Sequence, residues 1–433
     1  MGANWGVLRF QICGYTHHVE HRSSQRSDAK EQVLTHGRIT ADGVAKLRQM
    51  IGHELRQTFR FNTEITHDNV RHYCWGIGDD NPLWMDPAYA AQTDYKEPVA
   101  PPGYLWTLHP TWVQIGLPGV HGFHSGSEWT FHRPILQGDR PKLTVWLQDV
   151  VEKKGRFGGN SVILYFRTLF ANAQDQVLAD VLSWSFRIER HQAREKEHDP
   201  HAGIEMKCWT LDELAPVEEA QLAERPRGKE DRFWEDVEVG EKLDPVVKGP
   251  LCLTDMIAWY TGSQPVFQPA HEVALKWYRR HPMWAYRNPL LGNLEPSIRV
   301  HEDIATARAA GLPAPYDVGI QRHQWLFHLL TNWSGDAGIV KKCRAEYRRF
   351  NFYGDVQWLS GEVIGKRIDE DGDHVVDLTV WARNQRDENT MPGTAVVALP
   401  TRSGHRPVRD RLETSTSRDE YLAGVAPGLV LVE

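Results

Sequence analysis

One offset recurs along this sequence and limits what the chain can fold into. Trp84-x-Asp86 returns as His301-x-Asp303, 217 residues later, and Gly103, ahead of an apolar periodic run, returns as Gly319 at 216. Arg133-x4-Gly138-Asp139 returns as Arg349-x4-Gly354-Asp355, again at 216. An offset held this closely marks a tandem duplication, so the 433 residues must build one architecture twice. Upstream the offset breaks. Tyr73 lies 11 residues before Trp84, whereas its expected partner Tyr260 lies 41 before His301, which implies an insertion of about 30 residues over roughly 264–294.

Within each copy, helical periodicity precedes strand alternation. Val44, Leu47, Ile51 and Leu55 predict one helix, and Thr66 caps a second whose apolar face is Val70, Tyr73, Cys74 and Ile77. Asp86-Pro87 opens a short helix, and Pro102-Gly103 opens a longer one carrying Leu105, Leu108, Trp112 and Ile115. Beyond Gly126 the period falls to two, through Leu143, Val145 and Leu147, then SVILYFRTLFAN, then Leu182, Trp184, Phe186 and Ile188. In the second copy Val376, Leu378, Val380 and Ala382 alternate in the same way. Helices followed by a block of strands form an α+β pattern. The expected layout is an irregular extension over 1–38, a first domain over 39–190, a charged linker over 191–245, a second domain over 246–402 and a tail over 403–433.

Composition narrows the partners. Lys and Arg total 50 against 57 Asp and Glu, a formal charge of −7, so no global basic field draws the chain onto nucleic acid or an anionic membrane. No apolar run approaches the roughly 18 residues of a membrane span. The opening MGANWGVLRFQICGYTHH lacks a basic segment followed by a long apolar core, and the chain reads as cytoplasmic. Cysteines at 13, 74, 208, 252 and 343 are odd in number and far apart, which suits a reducing compartment. His17, His18 and His21 read as solvated tail, and with no CxxC or HExxH pair no metal is expected. Gly76-Ile-Gly78 lacks the third glycine of a dinucleotide loop, and GFHSGS around Ser125 is not a nucleophile elbow.

The stretch DNVRHYCWGIGDDNPLWMDPAYAA, followed by Pro102-Gly103 and a predicted helix, resembles the MaoC-like dehydratases, which include (R)-specific enoyl-CoA hydratases. In the second copy, VHEDIATARAAGLPAPYDVG is similar to the later part of the same signature, beginning at its histidine. The resemblance covers about 40–190 and 246–402. It implies a tandem (double) hot-dog fold, two long central helices wrapped by curved antiparallel sheets. It further implies a coenzyme A thioester as substrate with no cofactor, and is compatible with a homodimer of double hot dogs. In the family an Asp and a His five residues apart activate the water that adds to the double bond. The first copy keeps Gly78, Asp79, Asn81 and Pro82 but has Trp84 at the histidine position. The second keeps His301 and Asp303 but has Pro296 where the aspartate belongs, and Ser263 follows the Gly262 that resembles the lost Gly-Asp.

Hydrating an α,β-unsaturated thioester requires a base for water, an acid for the α-carbon, and donors for the charge that grows on the thioester oxygen. His301 titrates in the useful range, with Glu295 or Asp317 as its candidate carboxylate and the Gly319 N–H at a helix start as oxyanion donor. Asp79 is the rival centre in the first copy, and equally reads as a turn cap. Trp84, Gly103 and Tyr316 are expected at the acyl site, Trp84 filling space vacated for a bulky acyl chain. Arg279 and Arg280 of the insertion are candidates for a coenzyme A phosphate or a substrate carboxylate, against a solvated face. Asp86 and Asp303 read as N-caps, and Arg133 and Arg349 as structural pairs. The expectation is therefore an acyl-thioester hydratase or dehydratase acting on a bulky or unusual acyl group. Two alternatives compete: a hot-dog thioesterase using Asp79, and a non-catalytic acyl-CoA-binding partner subunit, since neither copy holds a complete Asp and His pair.

Overall fold

The computed structural model describes residues 37–432 apart from 57–59, 155–159, 190–202, 264–267, 289–290 and 415. Most of the expected extension, with His17, His18 and His21, therefore lies outside the described residues. The strand-patterned segments form β1 (His121–Phe131), β2 (Lys142–Lys154), β3 (Asn160–Ala171) and β4 (Val177–Ile188) in the first copy. The second copy supplies β5 (Val246–Lys248), β6 (Ile339–Glu346), β7 (Gln357–Ile368), β8 (His374–Asn384) and β9 (Asn389–Ala398). All nine join one antiparallel sheet in the order β2-β3-β4-β1-β6-β9-β8-β7-β5.

The duplication is written into the register of this sheet. Where β1 meets β6, Lys342 faces Thr130 and Glu346 faces Gly126, two pairs that exchange under a shift of 216. Arg344 faces Glu128, its own counterpart, so the pseudo-two-fold axis passes through that pair. The bulges repeat as well. β1 slips between His124 and Gly126 and β6 between Val340 and Lys342; β2 slips between Leu147 and Asp149 and β7 between Val363 and Gly365. Bulges re-aim the side chains around them, so matched bulges give the two copies matched faces.

The helices α1 (Ala41–Arg48), α2 (His67–Ile77), α3 (Leu211–Ala223) and α4 (Leu253–Ser263) lie outside this sheet in sequence. α2 and α4 cross through glycines. A Cβ on Gly76 would stand 2.7 Å from the Ala258 carbonyl oxygen, and one on Gly262 would stand 2.2 Å from that of His72. This mirrored contact corrects the expected pairing by one residue. The counterpart of Tyr73 is Trp259, not Tyr260, and Ser263 matches Ile77 rather than Asp79, because close backbone approach sets the register and the tyrosines do not. The counterpart of Asp79 falls within 264–267, outside the described residues.

The insertion folds into α5 (His271–Arg280) and a small hairpin pairing Ala285–Arg287 with Leu294–Pro296. It packs on the His301 segment and on α6 (Ile304–Ala309), with Tyr286 Oη 2.6 Å from Thr306 Oγ1. In the expected linker, α3 starts with a Thr210–Glu213 capping box, and Trp234 Nε1 donates to the Val375 carbonyl at 3.0 Å, so this stretch wraps the second copy. The tail is also docked. Tyr421 Oη donates to Asp180 Oδ2 at 2.9 Å, and Arg411 reaches Asp373 at 2.6 Å.

The expectation of two long central helices fails. The second copy has one, α7 (Gly319–Ser334), with 13 of its 16 residues buried. In the first copy the matching segment makes only a 3-10 turn, Pro102–Thr107. Pro110 is the cause: it has no N–H to give the next turn, its ring clashes with the carbonyl four residues back, and Thr111 beside it turns to φ +53°. The sheet face left bare is covered by α1. Val44 and Leu47 pack with Leu117, Leu147 and Phe166, while Ile51, beyond the helix end, is 36% exposed. Among the described residues no helix is long and apolar enough to cross a membrane.

Because the added methyl would meet backbone, Gly262→Ala should destabilise the fold by roughly 1–3 kcal/mol, the usual range for overpacking. Gly424→Ala, with open space around it, serves as control and should leave the melting temperature almost unchanged.

Candidate functional site

The site begins at the end of α2. Gly78 takes a left-handed φ of +67° and its N–H donates to the Trp75 carbonyl at 3.3 Å, while the Asp79 N–H returns to Cys74 at 2.9 Å. This reversal turns Asp79 inward, where it is 2% exposed. Its Oδ1 accepts from the Asn81 N–H at 3.0 Å, and Asn81 Oδ1 accepts from the Leu83 N–H at 3.0 Å to cap the single-turn helix Pro82–Met85 that carries Trp84. From the other copy α7 brings His328, whose Nε2 stands 3.6 Å from Asp79 Oδ1. Lys248, closing β5, donates to the Gly78 carbonyl at 2.8 Å.

Burial pushes the Asp79 carboxyl up to about 6, against the opposing pull of the Asn81 N–H and Lys248. Burial, with Lys248 nearby, pushes His328 well below the usual histidine range, so its ring is neutral. Asp79 Oδ2 and His328 Nδ1 are both buried and make no hydrogen bond of ordinary geometry among the described residues, although the Trp84 indole also pulls the Asp79 carboxyl down. A cleft is walled by Asn81, Trp84, Pro102 and Arg133 from the first copy and by Thr331 and Val340 from the second; Asp79 and His328 are not themselves among its lining residues, but their chain neighbours Asn81 and Thr331 are. Thr331 lies one turn beyond His328 on α7.

His301 occupies the position that Trp84 holds in the other copy, at the end of the 3-10 turn Ser297–His301. Its Nδ1 is 2.8 Å from the Tyr316 carbonyl oxygen, which can only accept, so Nδ1 donates and the neutral ring keeps its lone pair on Nε2. Burial lowers its pKa to about 4. Neither expected carboxylate is bonded to it. Glu295 accepts from Arg299 Nε at 2.8 Å, and Asp317 Oδ2 lies 2.6 Å from Arg322 Nε. The hairpin directs Glu295 along its own segment rather than toward the imidazole. Aromatic rings crowd His301: Tyr316 is 4.3 Å from both His301 and Phe350, and Phe350 is 6.0 Å from Phe123.

Gly319 begins α7, and a Cβ there would run into the Tyr347 ring at 2.5 Å; on Gly103 it would meet Tyr73 Oη at 2.3 Å. Both positions allow close packing. Arg279 and Arg280 stand exposed on the last turn of α5. Asp86 and Asp303 are N-caps, accepting from Ala88 at 2.8 Å and from Thr306 at 2.6 Å. The expected residues thus separate into Asp79, Trp84 and Gly103 in the first copy, of which Trp84 lines the cleft, His301, Tyr316, Asp317 and Gly319 in the second, and Glu295, Arg279 and Arg280 on the insertion. Sequence reasoning missed His328 and Lys248. The available signal was the histidines at 323 and 328 inside GIQRHQWLFHLL, a helix with no wholly polar face. Asp369, Asp371 and Asp373 also converge, but Lys341 and Arg411 fill their centre, Lys341 Nζ lying 2.7 Å from Asp373.

Residues 49–181 match the model of the FAS1-like dehydratase domain region. A UPF0336 protein of Saccharopolyspora erythraea is 30% identical over 115 residues, which cover 25% of this chain and 72% of that protein. A probable enoyl-CoA hydratase alpha subunit of Thermomonospora curvata is 24% identical over 177 residues, covering 36% of this chain and 55% of the other. Among solved structures, a MaoC-like dehydratase superposes with a TM-score of 0.54 at 16% identity, over 82% of this chain and 99% of its own, a likeness of fold. The class is that of the double hot dogs. Over its first copy the chain belongs to the FAS1-like dehydratase domain family, together with the UPF0336 proteins, and it shares the fold of the MaoC-like dehydratases.

Ionised Asp79 carries a stability cost that can be measured. Its folded pKa of about 6 lies above the usual 3.8, so the stability it confers is complete below about pH 3.8 and is lost as pH rises through 6. Asp79→Asn should therefore be more stable than the parent at pH 7–8 by on the order of 2–3 kcal/mol, with the gain fading toward pH 4. Thermal melts of both proteins across that range check the sign.

Proposed function

We propose that the chain adds water to a 2-enoyl thioester of coenzyme A, or removes it from the 3-hydroxyacyl thioester, and that the proton work falls to Asp79 and His328 in the first cleft. The observation that carries this reading is their approach to 3.6 Å, each with one buried atom that makes no hydrogen bond among the described residues, close in the chain to Asn81 and Thr331 of the cleft wall. A neutral His328 that donates from Nε2 toward Asp79 keeps an acceptor at Nδ1, and Asp79 Oδ2 is a second acceptor. A water with two O–H groups satisfies both. In hydration Asp79 takes one proton from water as its oxygen bonds to the β-carbon; the same proton then goes to the α-carbon, so nothing is left over. A carboxyl group near 6 suits both halves of this exchange close to neutrality. Asn81 supplies the donor for the thioester oxygen: its Oδ1 is committed to the Leu83 N–H, which directs Nδ2 the other way. Trp84 walls the acyl site.

Loss of enoyl absorbance with crotonyl-CoA is the assay. Asp79→Asn should lower kcat by about two to four orders of magnitude, and the parent's rate should fall as pH drops through about 6 and the base is protonated. His301→Ala should leave kcat within a few-fold. If His301→Ala abolishes turnover while Asp79→Asn leaves it intact, the chemistry belongs to the second copy. Thiol release from acyl-CoA with enoyl absorbance unchanged would make the chain a thioesterase, and tight thioester binding with no turnover would make it a partner subunit.

A further inference from the structure

Arg133 is the one charged side chain among the described residues lining the first cleft, whose other walls are uncharged and mostly apolar, including Leu83, Phe131, Ile135 and Val340. Its Nη1 donates to the Thr414 carbonyl, and Asp139 acts on it only from a distance, with no ion pair formed among the described residues. The duplication supplies a comparison. Arg349, at the matching position, is exposed and feels the charge of Glu388. One arginine of the repeat thus lies in solvent near Glu388, while the other is half-buried on a cleft wall with most of its five donors unclaimed among the described residues. A guanidinium in that setting gains most from a planar, doubly accepting anion.

Resting on the reading of this cleft as a thioester site, we infer that Arg133 receives an anionic oxygen group of the substrate. The chemistry fits a carboxylate on the acyl chain, making the substrate a dicarboxylic monothioester, or a phosphate of the coenzyme A carrier. Binding of saturated thioesters, which cannot be hydrated, separates this inference from the catalytic reading. Calorimetry on the full chain would compare glutaryl-CoA with its methyl ester, and butyryl-CoA with butyryl-pantetheine. If the acyl carboxylate is the partner, the parent binds glutaryl-CoA about 10- to 100-fold more tightly than the ester, the usual worth of a charge-assisted pair. Arg133→Gln removes that ratio while Arg133→Lys keeps part of it. If phosphate is the partner, the ratio lost in Arg133→Gln is that of butyryl-CoA to butyryl-pantetheine. The ester comparison on the parent needs no variant and is immune to any loosening of the Thr414 contact. Equal binding within each pair by the parent, or ratios unchanged in Arg133→Gln, overturns the inference, whatever the outcome of the crotonyl-CoA assay.

Discussion

A helix enclosed on every side, yet carrying Arg322, His323, Gln324 and His328, sets the terms for the rest of this molecule. Buried polar groups must find partners, and each of these reaches one outside the helix. Arg322 holds Asp317; Gln324 accepts from the Trp259 indole at 2.6 Å; His323 Nδ1 lies 3.1 Å from Ser127 Oγ and from Tyr347 Oη; His328 meets Asp79. Ser127 and Asp79 belong to the first copy. The central helix of one half is therefore completed by the other, and the halves are joined by polar satisfaction as well as by the β1–β6 seam.

The parts of this arrangement that were legible in the sequence are those set by period and spacing. The offset of 216 reappears in strand register and in paired bulges, and Thr66, Asp86 and Asp303 cap the helices they precede. What stayed hidden depended on one residue or on distant ones. Leu105, Leu108, Trp112 and Ile115 keep helical spacing across Pro110, and a missing N–H leaves no trace in an apolar pattern. Glu295 is close to His301 along the chain, but a hairpin and Arg299 claim it. The neighbour of Asp79 comes from the opposite copy, where no local pattern points to it.

The two copies show how duplicated positions diverge. At one position the copies hold Trp84 and His301; at another, nine residues into the central segment, they hold Trp112 and His328. The first copy thus holds tryptophan at both positions and the second holds histidine at both. The His328 imidazole faces a carboxylate that burial makes costly to ionise. Groups kept in such a state weaken the fold.

The pair Glu128 and Arg344 on the pseudo-axis has a consequence for ancestry. A residue lying on a true two-fold axis faces a copy of itself, so in a dimer of identical chains a glutamate there would oppose a glutamate. Such a dimer tolerates only residues that accept their own likeness. Once both copies lie on one chain, the two positions mutate separately, and here they have become opposite charges 3.6 Å apart. Neither sequence could now return to life as a symmetric dimer without setting like charges against each other at its centre.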